Sequence, residues 1–220
     1  MHRELPVDDG SIRPIKLAHI VVRTSRLQAM LDFYVKILGA TRVSGTDMSA
    51  SLSFDLEHHR MAFVAVPEPV AAPTAKVNRP FSDYLSGVEV DLGAEGFEMT
   101  PGIEHVAFTY ANFGELLAHC LRLKNDGMAP CFCVNHGTTT SLYYRDPDGN
   151  KVELQVDNLT MEQADEFIQS LAHHQNPVGI PFDPDDLVRM YESGASFSDL
   201  IGNGWDKAAM AQPAHQHAAE

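Results

Sequence analysis

Three residues of this 220-residue sequence have the chemistry of a metal centre. His19 stands in IKLAHIVV (15–22), His105 in GIEHVAFTY (102–110) and Glu153 in KVELQV (151–156). Each run is rich in β-branched and apolar residues and reads as a buried strand. A carboxylate in such a place is costly unless it is paired, hydrogen-bonded or bound to a metal. Two imidazoles and one carboxylate make the facial donor set of non-haem Fe(II) oxygenases, with about three of six octahedral positions left open. A single strand histidine is ordinarily a core or rim residue, and a single strand glutamate ordinarily faces solvent. The two histidines stand out because they hold equivalent places in an internal repeat.

Other groups can do proton chemistry nearby. His58 and His59 precede RMAFVAV (60–66). Either can serve as an acid–base group, since histidine titrates near neutral pH; the plainer reading is a polar turn. His136 opens HGTTTSLYY, and Tyr143 lies ten residues before Glu153. A tyrosine beside a charged oxygen can donate a hydrogen bond, or it can be half of a cross-strand aromatic pair. The chain has 11 histidines, so most carry no site chemistry. His173 and His174 sit at a helix end, and His215 and His217 in a tail.

The elements that must position these residues occur twice along the chain. In the first copy a strand holding His19 leads to Ser25 and Gln28, at capping-box spacing. Leu27, Met30, Leu31, Tyr34 and Leu38 then recur at helical spacing, and Gly39 stands where a helix ends. TRVSG, ASLSFDL and RMAFVAV follow as three strands. In the second copy a strand holding His105 leads to Asn112 and Glu115, an apolar stripe of Phe113, Leu116, Leu117, Cys120 and Leu121, and Gly127. APCFCVN, TSLYY and KVELQV follow, with the turn Asp146-Pro147-Asp148-Gly149 between the last two. From strand histidine to closing glycine is 20 residues in one copy and 22 in the other. In copy one the place of Glu153 falls within Met61–Val66, which holds no carboxylate, histidine or glutamine. A fourth ligand is therefore missing.

The predicted fold class is α+β: two βαβββ modules forming a half-barrel pair, plus C-terminal helices. The expected divisions are an N-terminal arm (1–14), module 1 (15–66), a connecting loop (67–101) with a short helix near Phe81–Ser86, module 2 (102–157), a helical extension (158–205) and a flexible tail (206–220). In the extension Thr160 with Gln163 caps a helix running to about His173, and Asp183-Pro184 with Asp186 starts another. The formal charge of −14 and a pI near 5.1 argue against nucleic acid or an anionic membrane as partner. No apolar run approaches a membrane span, and MHRELPVDDG lacks the apolar core of a signal peptide. Cys120, Cys131 and Cys133 read as buried thiols in a reducing cytoplasm.

LAHIVV with His19, IEHVAF with His105 and DPDGNKVELQV with Glu153 resemble the three iron-ligand strands of the vicinal oxygen chelate superfamily, specifically its type I extradiol ring-cleaving dioxygenases. HHRMAF resembles the family's His-x-x-Ala-Phe segment, which implies His59 as acid–base catalyst. Tyr143 matches the active-site tyrosine, and His136 resembles a second substrate-contacting histidine at shorter spacing. The resemblance covers residues 15–157 and a single module pair, like the one-domain members, whose endings NPVGIPFDPDDL resembles. It implies Fe(II), with Mn(II) as the alternative ion, a small aromatic diol and O2 as substrates, a role in aromatic hydrocarbon catabolism, and a homo-oligomer. The rival readings are a metal-dependent isomerase, epimerase or lyase, which usually has a fourth protein ligand, and a metal-free binding protein of the bleomycin-resistance kind.

Overall fold

The structure, a computed structural model, describes residues 14, 16–67, 78–79, 97–98, 103–202 and 204–205. The expected helix near Phe81–Ser86, most of the connecting loop, nearly all of the arm and the tail with His215 and His217 lie outside the described residues. The chain divides into two compact units, Met1–Glu68 and Pro69–Glu220.

The first unit holds β1 (Ile20–Thr24), α1 (Leu27–Leu38), β2 (Thr41–Gly45), β3 (Ser49–Ser53) and β4 (Met61–Ala65). Its sheet order is β1-β4-β3-β2, with β1 parallel to β4. Met30, Leu31, Tyr34 and Ile37 form the buried stripe of α1, and Tyr34 stacks on Phe63 of β4 with ring centroids 5.0 Å apart. Ala50, Leu52, Met61 and Phe63 complete that core.

The second unit adds a short pair, β5 (Asn78–Arg79) with β6 (Phe97–Glu98), and then repeats the pattern. It runs β7 (His105–Thr109), α2 (Phe113–Asn125), β8 (Phe132–Asn135), β9 (Thr139–Arg145) and β10 (Lys151–Asp157). Here too the first strand lies parallel to the last, and the order is β11-β8-β9-β10-β7. The extra edge strand β11 (Ile180–Pro181) comes from the C-terminal extension. That extension also contains α3 (Met161–Ile168), α4 (Leu171–Gln175), α5 (Pro184–Glu192) and α6 (Phe197–Ile201). The architecture is α+β, two βαβββ modules with C-terminal helices.

Several local expectations change. The capping box at Ser25 does not form. Arg26 is the N-cap of α1 and its side chain does not cap the helix, and Thr24 Oγ1 accepts from the Arg26 amide instead (2.9 Å). Gln28 donates along the helix to Asp32 (2.7 Å), which removes it from the cap. On α2 the stripe runs through Phe113, Leu116, Cys120 and Leu123, while Leu121 is 36% exposed; steps of three and four from Leu116 pass 123 rather than 121. The helix expected to run to His173 is two helices. Thr160 and Gln163 do make a full capping box for α3, but the chain breaks at Gln169, and Ser170 caps α4.

Asn158, just past β10, is buried and ties the β8–β9 hairpin to the sheet. Its side chain accepts from Thr140 Oγ1 (2.9 Å) and donates to Gly137 O (3.0 Å) and Asn135 Oδ1 (3.2 Å). Replacing Asn158 with Ala removes the side-chain partner of the Thr140 hydroxyl and the Gly137 carbonyl in a site closed to water, while Asn135 Oδ1 keeps the Gly137 amide. The expected loss is about 1–3 kcal/mol of unfolding free energy, read from urea denaturation; a change below about 0.5 kcal/mol would contradict the assignment.

Candidate metal and catalytic centre

In the second unit His105, Tyr143 and Glu153 come from three neighbouring strands. Glu153 pairs with Ala107 on one side and Tyr143 on the other. Side chains alternate along a strand, so His105 shares the face of Ala107 and hence of Glu153. His105 Nε2 stands 3.0 Å from Glu153 Oε2. Glu153 is only 4% exposed. Burial alone would raise its pKa, but hydrogen bonds from His105, Ser141 and Tyr143 together hold it below the ordinary carboxylate range.

The arrangement continues outward in both directions. On one side the Nδ1–H of His105 donates to Glu104, which also pairs with Lys151. Burial opposes ionisation of Glu104, yet His105 and Lys151 bring its pKa down to about 2. Hydrogen bonds to Glu104 and then Glu153 raise His105 to about 9, against the opposing effect of its partial burial. On the other side the Tyr143 hydroxyl lies 3.0 Å from His136 Nε2, and His136 Nδ1 meets the Val178 carbonyl. Burial, with the Glu153 charge, pushes the Tyr143 phenol above its usual range, so it keeps its proton. Burial lowers His136, which is therefore neutral near pH 7. Phe132 flanks the tyrosine ring at 5.9 Å.

In the first unit His19, His58 and His59 cluster. Ring centroids lie 4.3 Å apart for His19–His59, 4.4 Å for His58–His59 and 6.4 Å for His19–His58. The Nδ1 atoms of His58 and His59 are 2.6 Å apart and share a proton. Burial, then the neighbouring imidazoles His19 and His58, lower the pKa of His59. His19 was expected within its strand but stands one residue before β1. Arg60 holds it there: its guanidinium donates to the carbonyls of Leu17 (2.7 Å) and Ala18 (3.1 Å) and pairs with Asp55 at 2.9 Å.

The two sheets can be aligned by register. Ile20 pairs with Met61, as Val106 pairs with Val152. His19 then matches His105, and Ala62 takes the place of Glu153. Ser51, opposite Ala62, takes the place of Tyr143. Module 1 thus has an alanine where a fourth ligand would stand.

Two donors about 2.1 Å from one ion at adjacent octahedral corners stand about 3.0 Å apart. The His105–Glu153 pair has that separation, and its imidazole and carboxylate suit iron or manganese. Among the described residues no group of three His, Cys, Asp or Glu side chains is gathered in a form that could hold an ion. Glu104, Lys151, Ser141 and Arg60 were not anticipated. Only Glu104 left a signal, a carboxylate beside the candidate histidine in an otherwise apolar strand.

The chain belongs to the Glyoxalase/Bleomycin resistance protein/Dioxygenase superfamily, whose model matches residues 16–154. Within it the chain stands with the dioxygenases, as an enzyme. Biphenyl-2,3-diol 1,2-dioxygenase 3 of Rhodococcus globerulus is 35% identical over 194 residues, 86% of this chain and 89% of that protein. Biphenyl-2,3-diol 1,2-dioxygenase 2 of the same organism is 36% identical over 191 residues, 86% and 88% of the two chains. A lactoylglutathione lyase structure from Agrobacterium tumefaciens aligns with a TM-score of 0.44 at 16% identity, covering 65% of this chain and 94% of that one.

In the metal-free protein the raised pKa of His105 makes stability depend on pH. The stabilisation from its ion pairs is complete below the unfolded value of about 6.5 and is lost as pH rises through about 9. Denaturation midpoints should therefore fall between pH 6.5 and 9, and Glu104→Gln should flatten that fall. An NMR titration placing His105 at an ordinary value would refute the arrangement.

Proposed function

We propose that this chain is a non-haem Fe(II)-dependent extradiol dioxygenase that opens a catechol-type ring beside its vicinal diol and adds both atoms of O2. The observation that carries the reading is the His105–Glu153 pair, a charged carboxylate 4% exposed with an imidazole Nε2 at 3.0 Å. Identity of 35–36% to biphenyl-2,3-diol 1,2-dioxygenases supports an aromatic diol as substrate, and an aryl-substituted catechol is the first to test. In this reading His105 and Glu153 of module 2 and His19 of module 1 hold the ion. Bound ferrous iron would supply Lewis acidity toward the diol oxygens and a route for electrons to dioxygen.

The remaining steps fall to side chains. His105 must bind through Nε2 as a neutral imidazole, and Glu104, accepting from Nδ1–H, fixes that tautomer and the ring plane. His59, kept neutral by burial and its histidine neighbours, is free to take a proton from one diol hydroxyl and to return it later in the cycle. Tyr143 keeps its proton and can offer it to a charged substrate oxygen. His136 supports Tyr143 from behind. Ala62, where a fourth ligand would stand, favours ring cleavage over the isomerase or lyase reading. Three cysteines held as thiols fit a cytoplasmic setting, and no helix among the described residues is long and apolar enough to cross a membrane.

The test is anaerobic Fe(II) loading followed by 2,3-dihydroxybiphenyl and air. Oxygen uptake with a coloured ring-fission product is expected. His59→Phe should lower kcat by about 10²–10⁴-fold with iron content unchanged, whereas Glu153→Ala should lose the iron. Full turnover in His59→Phe would remove the acid–base role, and an iron-loaded protein inert toward a panel of catechols would remove the reaction itself.

A further inference from the structure

We propose that the turn Asn176–Gly179 of the C-terminal extension is a positioning element of the site, its Val178 carbonyl fixing the ring and tautomer of His136 so that Nε2 accepts from the Tyr143 hydroxyl. The inference rests on reading Tyr143 and Glu153 as site residues.

A carbonyl oxygen can only accept, so the nitrogen facing Val178 carries hydrogen. A neutral imidazole with hydrogen on Nδ1 has a bare lone pair on Nε2, and that atom lies 3.0 Å from the Tyr143 hydroxyl. A bare Nε2 can only accept, so the Tyr143 hydroxyl is the donor in that contact. The same hydroxyl also reaches the Glu153 carboxylate. One proton thus faces two acceptors, His136 and Glu153. In the opposite tautomer Nε2–H would donate to Tyr143 and leave the phenol proton to Glu153. A carboxylate oxygen engaged by that proton is a poorer metal ligand. The Val178 contact therefore draws the proton away from the ligand, and rotation about the phenol C–O bond still allows it to reach a substrate oxyanion.

The turn is built to hold this position. The Asn176 side chain closes it onto Gly179, donating to Gly179 O (2.8 Å) and accepting from Gly179 N (3.0 Å). Gly179 has φ +117°, and a Cβ there would stand 2.3 Å from the Asn135 carbonyl oxygen and 2.8 Å from His136 Cα. Only glycine allows so close an approach to the backbone beside His136. Ile180 and Pro181 then pair directly with Asn135 and Val134. Farther along, the Ile201 carbonyl accepts from Asn135 Nδ2 (2.8 Å). The chain next to His136 is thus held at two points by residues that follow the repeated modules.

The experiment reads the tautomer directly. Long-range 1H–15N imidazole spectra of the 15N-labelled, metal-free protein, assigned with His136→Gln, should show His136 with hydrogen on Nδ1. Gly179→Ala and the milder Asn176→Ala should populate the Nε2–H form. In the iron-loaded enzyme each should lower kcat by about tenfold or more with KM little changed. An Nε2–H tautomer in the unaltered protein would overturn the proposal, as would folded variants that keep both the original tautomer and full kcat. If the tautomer behaves as expected but the unaltered protein cleaves no catechol, the positioning role stands and the dioxygenase reading falls.

Discussion

A carboxylate buried in the middle of a sheet sets the terms for the second unit. Glu153 sits on β10 between β7 and β9, where an unpaired charge would cost several kcal/mol. It is tolerated because His105 and Ser141 bring it hydrogens and the Tyr143 hydroxyl lies beside it. Those partners need partners of their own. His105 is held by Glu104 and Glu104 by Lys151, while Tyr143 meets His136 and His136 meets the Val178 carbonyl. The result is one connected polar chain from Lys151 to Val178 across three strands, the residue after β8 and a turn. In a low-dielectric interior such a chain is rigid when complete and costly when broken. Its members therefore hold one another in geometry as well as in charge.

The duplicated backbone makes the asymmetry of the side chains informative. Both sheets place the first strand parallel to the last and follow it outward in the same order. At matching registers module 1 carries Ala62 and Ser51 where module 2 carries Glu153 and Tyr143. Module 1 instead gathers three imidazoles around the hairpin between β3 and β4, with Arg60 anchoring the chain before His19. The scaffold is thus common to both copies, and the chemistry comes from the few positions where they differ.

Much of this was legible in the sequence. Strand–helix alternation, the turn at Asp146–Gly149 and the caps at Asn112, Thr160 and Asp183 follow from local rules that act within a few residues, and each forms. Tyr143 was named from its place ten residues before Glu153 and from the family resemblance, and the sheet pairs it with Glu153. The failures have a common cause. Ser25 lost its cap to Thr24, one residue earlier, and the helix after Thr160 broke because Ser170 offers a second N-cap. In each case a second hydroxyl residue took up a different backbone amide, Thr24 that of Arg26 and Ser170 that of His173, and spacing alone does not decide which cap forms. The roles of Arg60, Lys151 and Ser141 were invisible for a different reason. They depend on which strands become neighbours, and only the folded sheet supplies that.

The proton on His105 also bears on how an ion would enter the proposed site. In the metal-free protein an imidazolium lies between the carboxylates of Glu104 and Glu153 and supplies the positive charge that a cation would bring. Were a cation to take the place of that proton, the Nδ1–H bond to Glu104 would still fix the ring plane. The Nε2–Oε2 separation of 3.0 Å already suits two donors to one ion. The two proposed ligands of module 2 stand on β7 and β10, paired strands rather than loops, which would limit reorganisation on binding. The structural role of the pair and its proposed catalytic role thus draw on the same electrostatics. A substitution that weakens one should weaken the other, and neutral replacements at Glu104 are where the two effects can be compared without touching a ligand.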